Sequence, residues 1–160
     1  MTAATPPPPP PMGATGTYAS WISRVLAYLV DGLIAGIPAM VLAFIATFVG
    51  GSSDATDSAV FTGAGVSILV LAAVVSLAIS IWNYGFKQGT TGQTVGKGVM
   101  DITVVTDDGQ YLGVGMSILR TILMSVLGSL CFLNYLWPLF DDRNRAWHDM
   151  IVNSLVLDAG

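Results

Sequence analysis

The sequence predicts an all-α membrane protein: two transmembrane helices, a third helical segment that is either re-entrant or spanning, and a small cytoplasmic β element. Three observations carry this. Apolar residues make up 53% of the 160 residues and charged residues only 10%, where a soluble domain carries roughly 25%. Mean hydropathy is +0.70. Three long stretches hold almost no ionisable residue. A water-soluble chain of this length could not cover itself with so few charges.

The elements follow in order. Residues 1–17 form a proline-rich tail, with six consecutive prolines from Pro6 to Pro11. Such a run favours an extended polyproline II rod, so a solvated, disordered tail is expected. It does not read as a secretory signal, because it lacks the positive cluster that precedes an h-region. The membrane domain then covers 18–160. Val25–Val49 is 25 residues long, more than the ~20 needed to cross the hydrocarbon layer, and the first helix is placed at about 22–49. Pro38 lies mid-run, where a missing backbone donor predicts a kink. The second helix is placed at about 60–84, ending on Trp82 and Tyr84 in the manner of an interfacial aromatic belt. Residues 100–114 read as β-rich: DITVVT, the turn Asp107-Asp108-Gly109, then a short return strand over Tyr111–Val114. The third apolar segment covers about 116–140, and residues 151–158 read as a final strand.

Orientation follows from the cations, which collect in cytoplasmic loops. The loop between the first two helices has none; the next carries Lys87 and Lys97. The amino terminus is therefore expected inside. A straight crossing by the third segment would leave Arg143 and Arg145 outside. A hairpin near Gly128-Ser129 keeps them, and the carboxyl terminus, in the cytoplasm, and lets the last strand pair with DITVVT. The hairpin is the favoured reading; its arms of about 11–12 residues would be too short to cross.

Composition removes several functions. Net charge is −4 and no basic patch exists, so no nucleic-acid partner is expected. All ten acids are Asp, which excludes motifs that need Glu. Cys131 is the single cysteine and His148 the single histidine, so neither a disulfide nor a Cys/His metal set is expected. No nucleophile has a recognisable context, and no cofactor or enzymatic activity is expected. The loop GQTVGKG resembles a phosphate loop, but Thr91 and Gly98 stand where a Walker A motif needs Gly and Ser/Thr. Gly92, Gly96 and Lys97 therefore read as a glycine-rich loop at the membrane surface, with Lys97 near lipid headgroups.

The chemistry concentrates elsewhere. Arg24 and Asp31 are seven residues apart, nearly two helical turns, so both project from one face with Tyr28 between them. A carboxylate two turns into an apolar run is expensive unless paired or hydrated. It reads either as an ion or proton site, with Arg24, Arg120 or water as partner, or as a structural ion pair between helices. His148-Asp149 reads as a polar anchor for the last strand, or as part of the same site at its inner mouth.

Together these pieces resemble the RDD family of small bacterial membrane proteins, named for an Arg and two Asp. The resemblance runs from about Tyr18 to Leu157. It rests on Arg24 and Asp31 in SRVLAYLVDGLI, on GTTGQTVGKGVMDITVVTDDG, on Arg120, and on RNRAWHDMIVNSLVL, where Asp149 is the second Asp of the name. Asn153-Ser154 stands where Gly-Thr is usual, and Trp147 where Leu is common. The resemblance implies a protein of the bacterial plasma membrane and a cation/proton-exchange role of the kind proposed for some members. A proline tail before this core also resembles small actinobacterial membrane proteins.

Two functions stand against each other on this reading. One is ion or proton transport through a polar site of Arg24, Asp31 and Arg120, with His148 and Asp149 at its mouth and Asp31 as the titrating group. The other is an accessory or assembly subunit of a larger membrane complex, in the respiratory chain or in envelope biosynthesis. The expected partners are the lipid bilayer and either copies of the chain itself or other membrane proteins.

Overall fold

The computed structural model describes residues 17–53, 59–131 and 133–159. The proline run lies outside the described residues. Helix α1 covers Trp21–Gly50. Ser20 starts it, its hydroxyl accepting from the Ser23 amide at 3.1 Å, which satisfies one of the free donors of the first turn. Pro38 lies inside the helix, yet α1 continues to Gly50. A short antiparallel hairpin follows, β1 (Gly51–Ser53) with β2 (Ala59–Phe61).

The returning helix begins as α2, Gly63–Ser80. It widens into a π-helical segment, Ile81–Lys87, and ends as α3, Gln88–Thr91. Gly63–Thr91 is thus one helix of 29 residues, extending seven residues beyond the expected end. It and α1 are each long and apolar enough to cross a membrane. The two pack side by side, and the Ser76 hydroxyl donates to the Ala35 carbonyl across their interface at 3.0 Å. Their outer faces carry exposed Leu, Ile, Val, Phe and Met, with Met40 at 72% and Phe48 at 75% exposure. In water such a surface would drive aggregation; against lipid tails it is matched.

At one end of this pair sits a polar cap. Gly92 closes α3 in the left-handed conformation, φ +71, which favours glycine. The short helix α4 (Val95–Val99) leads into β3, Ile102–Thr106. Strand β3 pairs antiparallel with β4 (Ser154–Asp158), Val104 opposite Val156. The far edge of β4 is taken by the chain just before α1: the Ala19 amide donates to the Val156 carbonyl at 2.9 Å, and the Asp158 amide to the Thr17 carbonyl at 3.0 Å. A small core of Ala19, Ala27, Ile102, Val104 and Val156 lies beneath. The expected return strand over Tyr111–Val114 does not form; the partner of β3 comes from the carboxyl end instead.

The third apolar segment breaks into α5 (Val114–Leu130) and α6 (Leu133–Leu136), the latter running into a 3-10 turn, Trp137–Leu139. The two parts are bent by 116°. The break falls just past the Gly128-Ser129 pair expected to bend. Since β3 precedes this segment and β4 follows it, and the two pair directly, the segment leaves and returns at the same end of the molecule. A straight 25-residue crossing would separate those strands by about 37 Å. Helix α7 (Trp147–Ile151) then leads into β4.

Candidate functional site

The charged residues singled out in the sequence meet inside the cap, but in different pairs from those expected. Arg24 and Asp31 do share the inner face of α1, both buried with Ala27, while Leu26, Leu29 and Leu33 point outward. They do not pair with each other. Arg24 reaches Asp149 on α7, its Nη1 donating to Oδ2 at 2.9 Å. Arg120 on α5 reaches the same carboxylate, with Nε donating to Oδ1 at 2.8 Å and a second, shorter bond from Nη2. The Ser154 hydroxyl donates to Oδ1 at 3.2 Å and the Ala146 amide to Oδ2 at 3.1 Å. One carboxylate therefore ties together α1, α5, the start of α7 and β4, with Arg120 1% and Asp149 0% exposed.

The electrostatics of this knot are one-sided. Burial alone would raise the Asp149 carboxyl, but Arg120 and Arg24, with the Ala146 amide, override it and hold it well below the usual carboxylate range. Beside it, burial pushes His148 down to about 3, so the imidazole is neutral at ordinary pH. His148 is buried against the knot, its Nε2 3.5 Å from Asp149 Oδ1 and its Nδ1 3.2 Å from the Asn134 side-chain oxygen. A small cavity of about 30 Å³ is lined by His148 together with Arg24, Tyr28 and Tyr135.

Asp31 is held by a second, separate set of groups. Its Oδ1 accepts from the Asn83 amide at 2.8 Å and from the Gly96 backbone at 2.7 Å. Its Oδ2 accepts from the Thr94 hydroxyl at 2.6 Å. Asn83 completes the latch, its Oδ1 accepting from the Val95 amide at 2.8 Å. Asp31 and Asn83 thus bind the free amides at the start of α4, and Thr94 caps the same turn by accepting from the Lys97 amide at 3.1 Å. Gly96 is required by contact: a Cβ there would lie 2.9 Å from the Asp31 carboxyl carbon and collide with the Ala27 carbonyl.

This corrects two expectations. The partners of Asp31 are Asn83, Thr94 and Gly96, not Arg24 or Arg120. And Lys97 does not face lipid headgroups: Gly92, Gly96 and Lys97 of the GQTVGKG loop are all buried within the protein. Lys97 is 1% exposed and its ammonium donates to the Gln88 side-chain oxygen at 2.6 Å. It sits over the Tyr28 and Tyr84 rings, 5.4 Å from each centroid. The loop turns inward because Asp31 and Asn83 hold its backbone, and the lysine follows.

Asn83, Thr94, Gln88, Asn134 and Ser154 are the members that sequence reasoning missed. Asn83 carried a signal, as the first side-chain amide after an uncharged apolar run of 17 residues. Its inward aim depends on the π-helical turn, which shifts the phase of the helix face and has no clear sequence mark. Among the described residues no three His, Cys, Asp or Glu side chains gather to hold a metal ion.

With two arginines meeting one aspartate and a second aspartate latching the glycine-lysine loop, the arrangement can be set against known proteins. The RDD family matches residues 18–153. The chain belongs to the RDD family. It is 31% identical over 151 residues to the "Proline-rich antigen" of Mycobacterium leprae, covering 88% of this chain and 61% of that protein. It is 32% identical over 152 residues to the "Proline-rich antigen homolog" of Mycobacterium tuberculosis, covering 88% of this chain and 63% of that protein. A third relative, "Uncharacterized protein YxaI" of Bacillus subtilis, is 27% identical over 144 residues and is covered over 94% of its length. The chain thus spans about three fifths of the length of the mycobacterial relatives. No solved structure matches it. This RDD-family chain is a membrane protein of bacterial type, and its Arg24, Asp31, Arg120 and Asp149 are the charges around which the cap is built.

Proposed function

We propose that this RDD domain is an accessory or assembly subunit of a larger membrane complex. In this reading a rigid polar cap fixes two apolar helices whose outer faces contact lipid and partner helices. The observation that carries it is the state of the two buried carboxylates. Every oxygen of Asp149 and Asp31 is hydrogen-bonded to a neighbouring element of the fold. Releasing either to bind a transported ion would break the cap. From Gly32 to Val49, and from Gly63 to Ser80, the sequence holds no ionisable side chain. The polar groups therefore cluster at one end and do not mark a path along the helix pair. The positive-inside rule supports a cap in the cytoplasm, since all six Lys and Arg belong to that end. Both described chain ends then face the cytoplasm of a bacterial plasma-membrane protein, and α5–α6 enters and leaves on that side.

Transport of ions or protons is the second reading. Lys97, buried without an acidic partner, favours it. Purification of the tagged protein in mild detergent at native expression, with mass spectrometry of what co-purifies, separates the two. The accessory reading expects other membrane proteins in fixed stoichiometry. A homo-oligomer alone, conducting protons in vesicles and silenced by Asp31→Asn, would overturn it.

A further inference from the structure

Among the described charges, four are buried close together: Arg24, Arg120, Asp31 and Asp149. Two are positive and two negative, so the interior is balanced without any other ion. Lys97 adds a further amine to this balanced interior. Among the described residues no carboxylate forms an ion pair with it. Its charged form is supported by one neutral acceptor, Gln88 Oε1 at 2.6 Å, and by two aromatic faces, Tyr28 and Tyr84. A fully desolvated ammonium with so little compensation is poised to give up its proton.

We propose that Lys97 is a proton-binding site of this domain: a buried amine, held by Gln88 and the rings of Tyr28 and Tyr84, that gains and loses its proton while the fold stays intact. The groups that face it act in both directions. Burial lowers its proton affinity most, Arg120 and Arg24 lower it further, and Asp31 and Asp149 raise it. The balance brings the amine down to about 7. Proton uptake completes the cation–π contacts to α1 and the π-helical segment; proton loss removes them and leaves an amine on Gln88. Lys97 lies one residue past Gly96, whose amide is bound by Asp31. The charge state of Lys97 therefore sets how firmly the far side of α4 is held. This proton site stands whether or not protons also cross the membrane.

The chain has two lysines, so Lys87→Arg leaves Lys97 alone. Lys87 is not part of the buried set; its ammonium bonds the Gln93 carbonyl at 3.3 Å from a partly exposed position. The full chain carrying Lys87→Arg, labelled with [13Cε]lysine and purified in non-ionic detergent, should give one lysine signal. That signal should change from the ammonium to the amine position between about pH 6 and 8, against an ordinary lysine near 10.4. The backbone spectrum should stay folded throughout, with changes confined to α4, Tyr28 and Tyr84. A signal that keeps the ammonium shift to about pH 9 overturns the proposal. So does a titration that appears only with loss of the folded spectrum. Titration without proton flux in vesicles supports the site and removes the transport reading, so the two fail separately.

Discussion

Asp149 and Asp31 are both buried carboxylates in one cap, yet they are held by different chemistry. Asp149 meets two guanidinium groups, a hydroxyl and a backbone amide, drawn from α1, α5, β4 and the start of α7. Asp31 meets neutral donors: a side-chain amide, a hydroxyl and a backbone amide. The first joins elements far apart in the chain and neutralises two cations that would otherwise be buried alone. The second organises one loop, by binding the open start of α4. The two differ in what remains when each is removed. Without Asp149, two charges are left uncompensated; without Asp31, a few amides lose an acceptor.

The largest effect is therefore expected at Asp149. Asp149→Ala should cost about 3–5 kcal/mol, the range for removing one partner of a buried ion pair. It should be read as loss of a monodisperse, folded peak in detergent. Acid should attack the same knot. The folded-state affinity of Asp149 for protons is depressed, so its contribution is present above the unfolded value near 3.9 and is lost as pH falls below it. His148, brought down to about 3 from about 6.5, has the same sign: the unfolded chain binds more protons between those values, so stability rises with pH across that window. Thermal unfolding followed from pH 7 to 4 should drop steadily, and His148→Asn should flatten the part between about 6.5 and 4. A pH-independent melt would contradict the arrangement.

Smaller and local effects belong to the second carboxylate. Asp31→Asn keeps one acceptor oxygen and should cost about 1–3 kcal/mol. Faster amide exchange should be confined to residues 92–99. A global collapse equal to that of Asp149→Ala would erase the distinction between the two sites. Gly96→Ala should cost about 1–3 kcal/mol, since a methyl group meets the Ala27 carbonyl and Asp31. The smallest effect is at the partly exposed pair of Asp141 and Arg145, four residues apart with Arg145 Nε donating at 3.0 Å. Asp141→Asn should change stability by less than about 1 kcal/mol.

Much of this was legible in the sequence because hydrophobic length is a strong signal. A 25-residue apolar run, a second of 17, and strands rich in Val and Ile have few competing readings. The pairing of β3 with β4 also followed once the third segment was bent, since both Arg143 and Arg145 had to stay with the other cations. The pairings inside the cap were not legible. Spacing places Arg24 and Asp31 on one face but cannot say which faces the carboxyl-terminal Asp149 and which the loop at 92–98. That depends on the three-dimensional return of α5–α6. Lys97 was misplaced for a related reason: a lysine after glycines reads as exposed, and its burial follows from Asp31 and Asn83 drawing the loop inward. Asn83 itself points inward through a π-helical turn that local propensity does not encode.

The claim at the centre of this account is that Asp149 locks the cap by direct pairing with the arginines of α1 and α5. A double-mutant cycle tests it most directly. Arg120→Met, Asp149→Leu and the double variant are purified in the same detergent and their unfolding is measured. Arg120→Met leaves Asp149 with Arg24 alone, Asp149→Leu leaves both arginines uncompensated, and the double change leaves only Arg24 so. The account predicts that the double variant is clearly more stable than the sum of the two losses requires, and no less stable than Asp149→Leu alone. Strictly additive losses would contradict it.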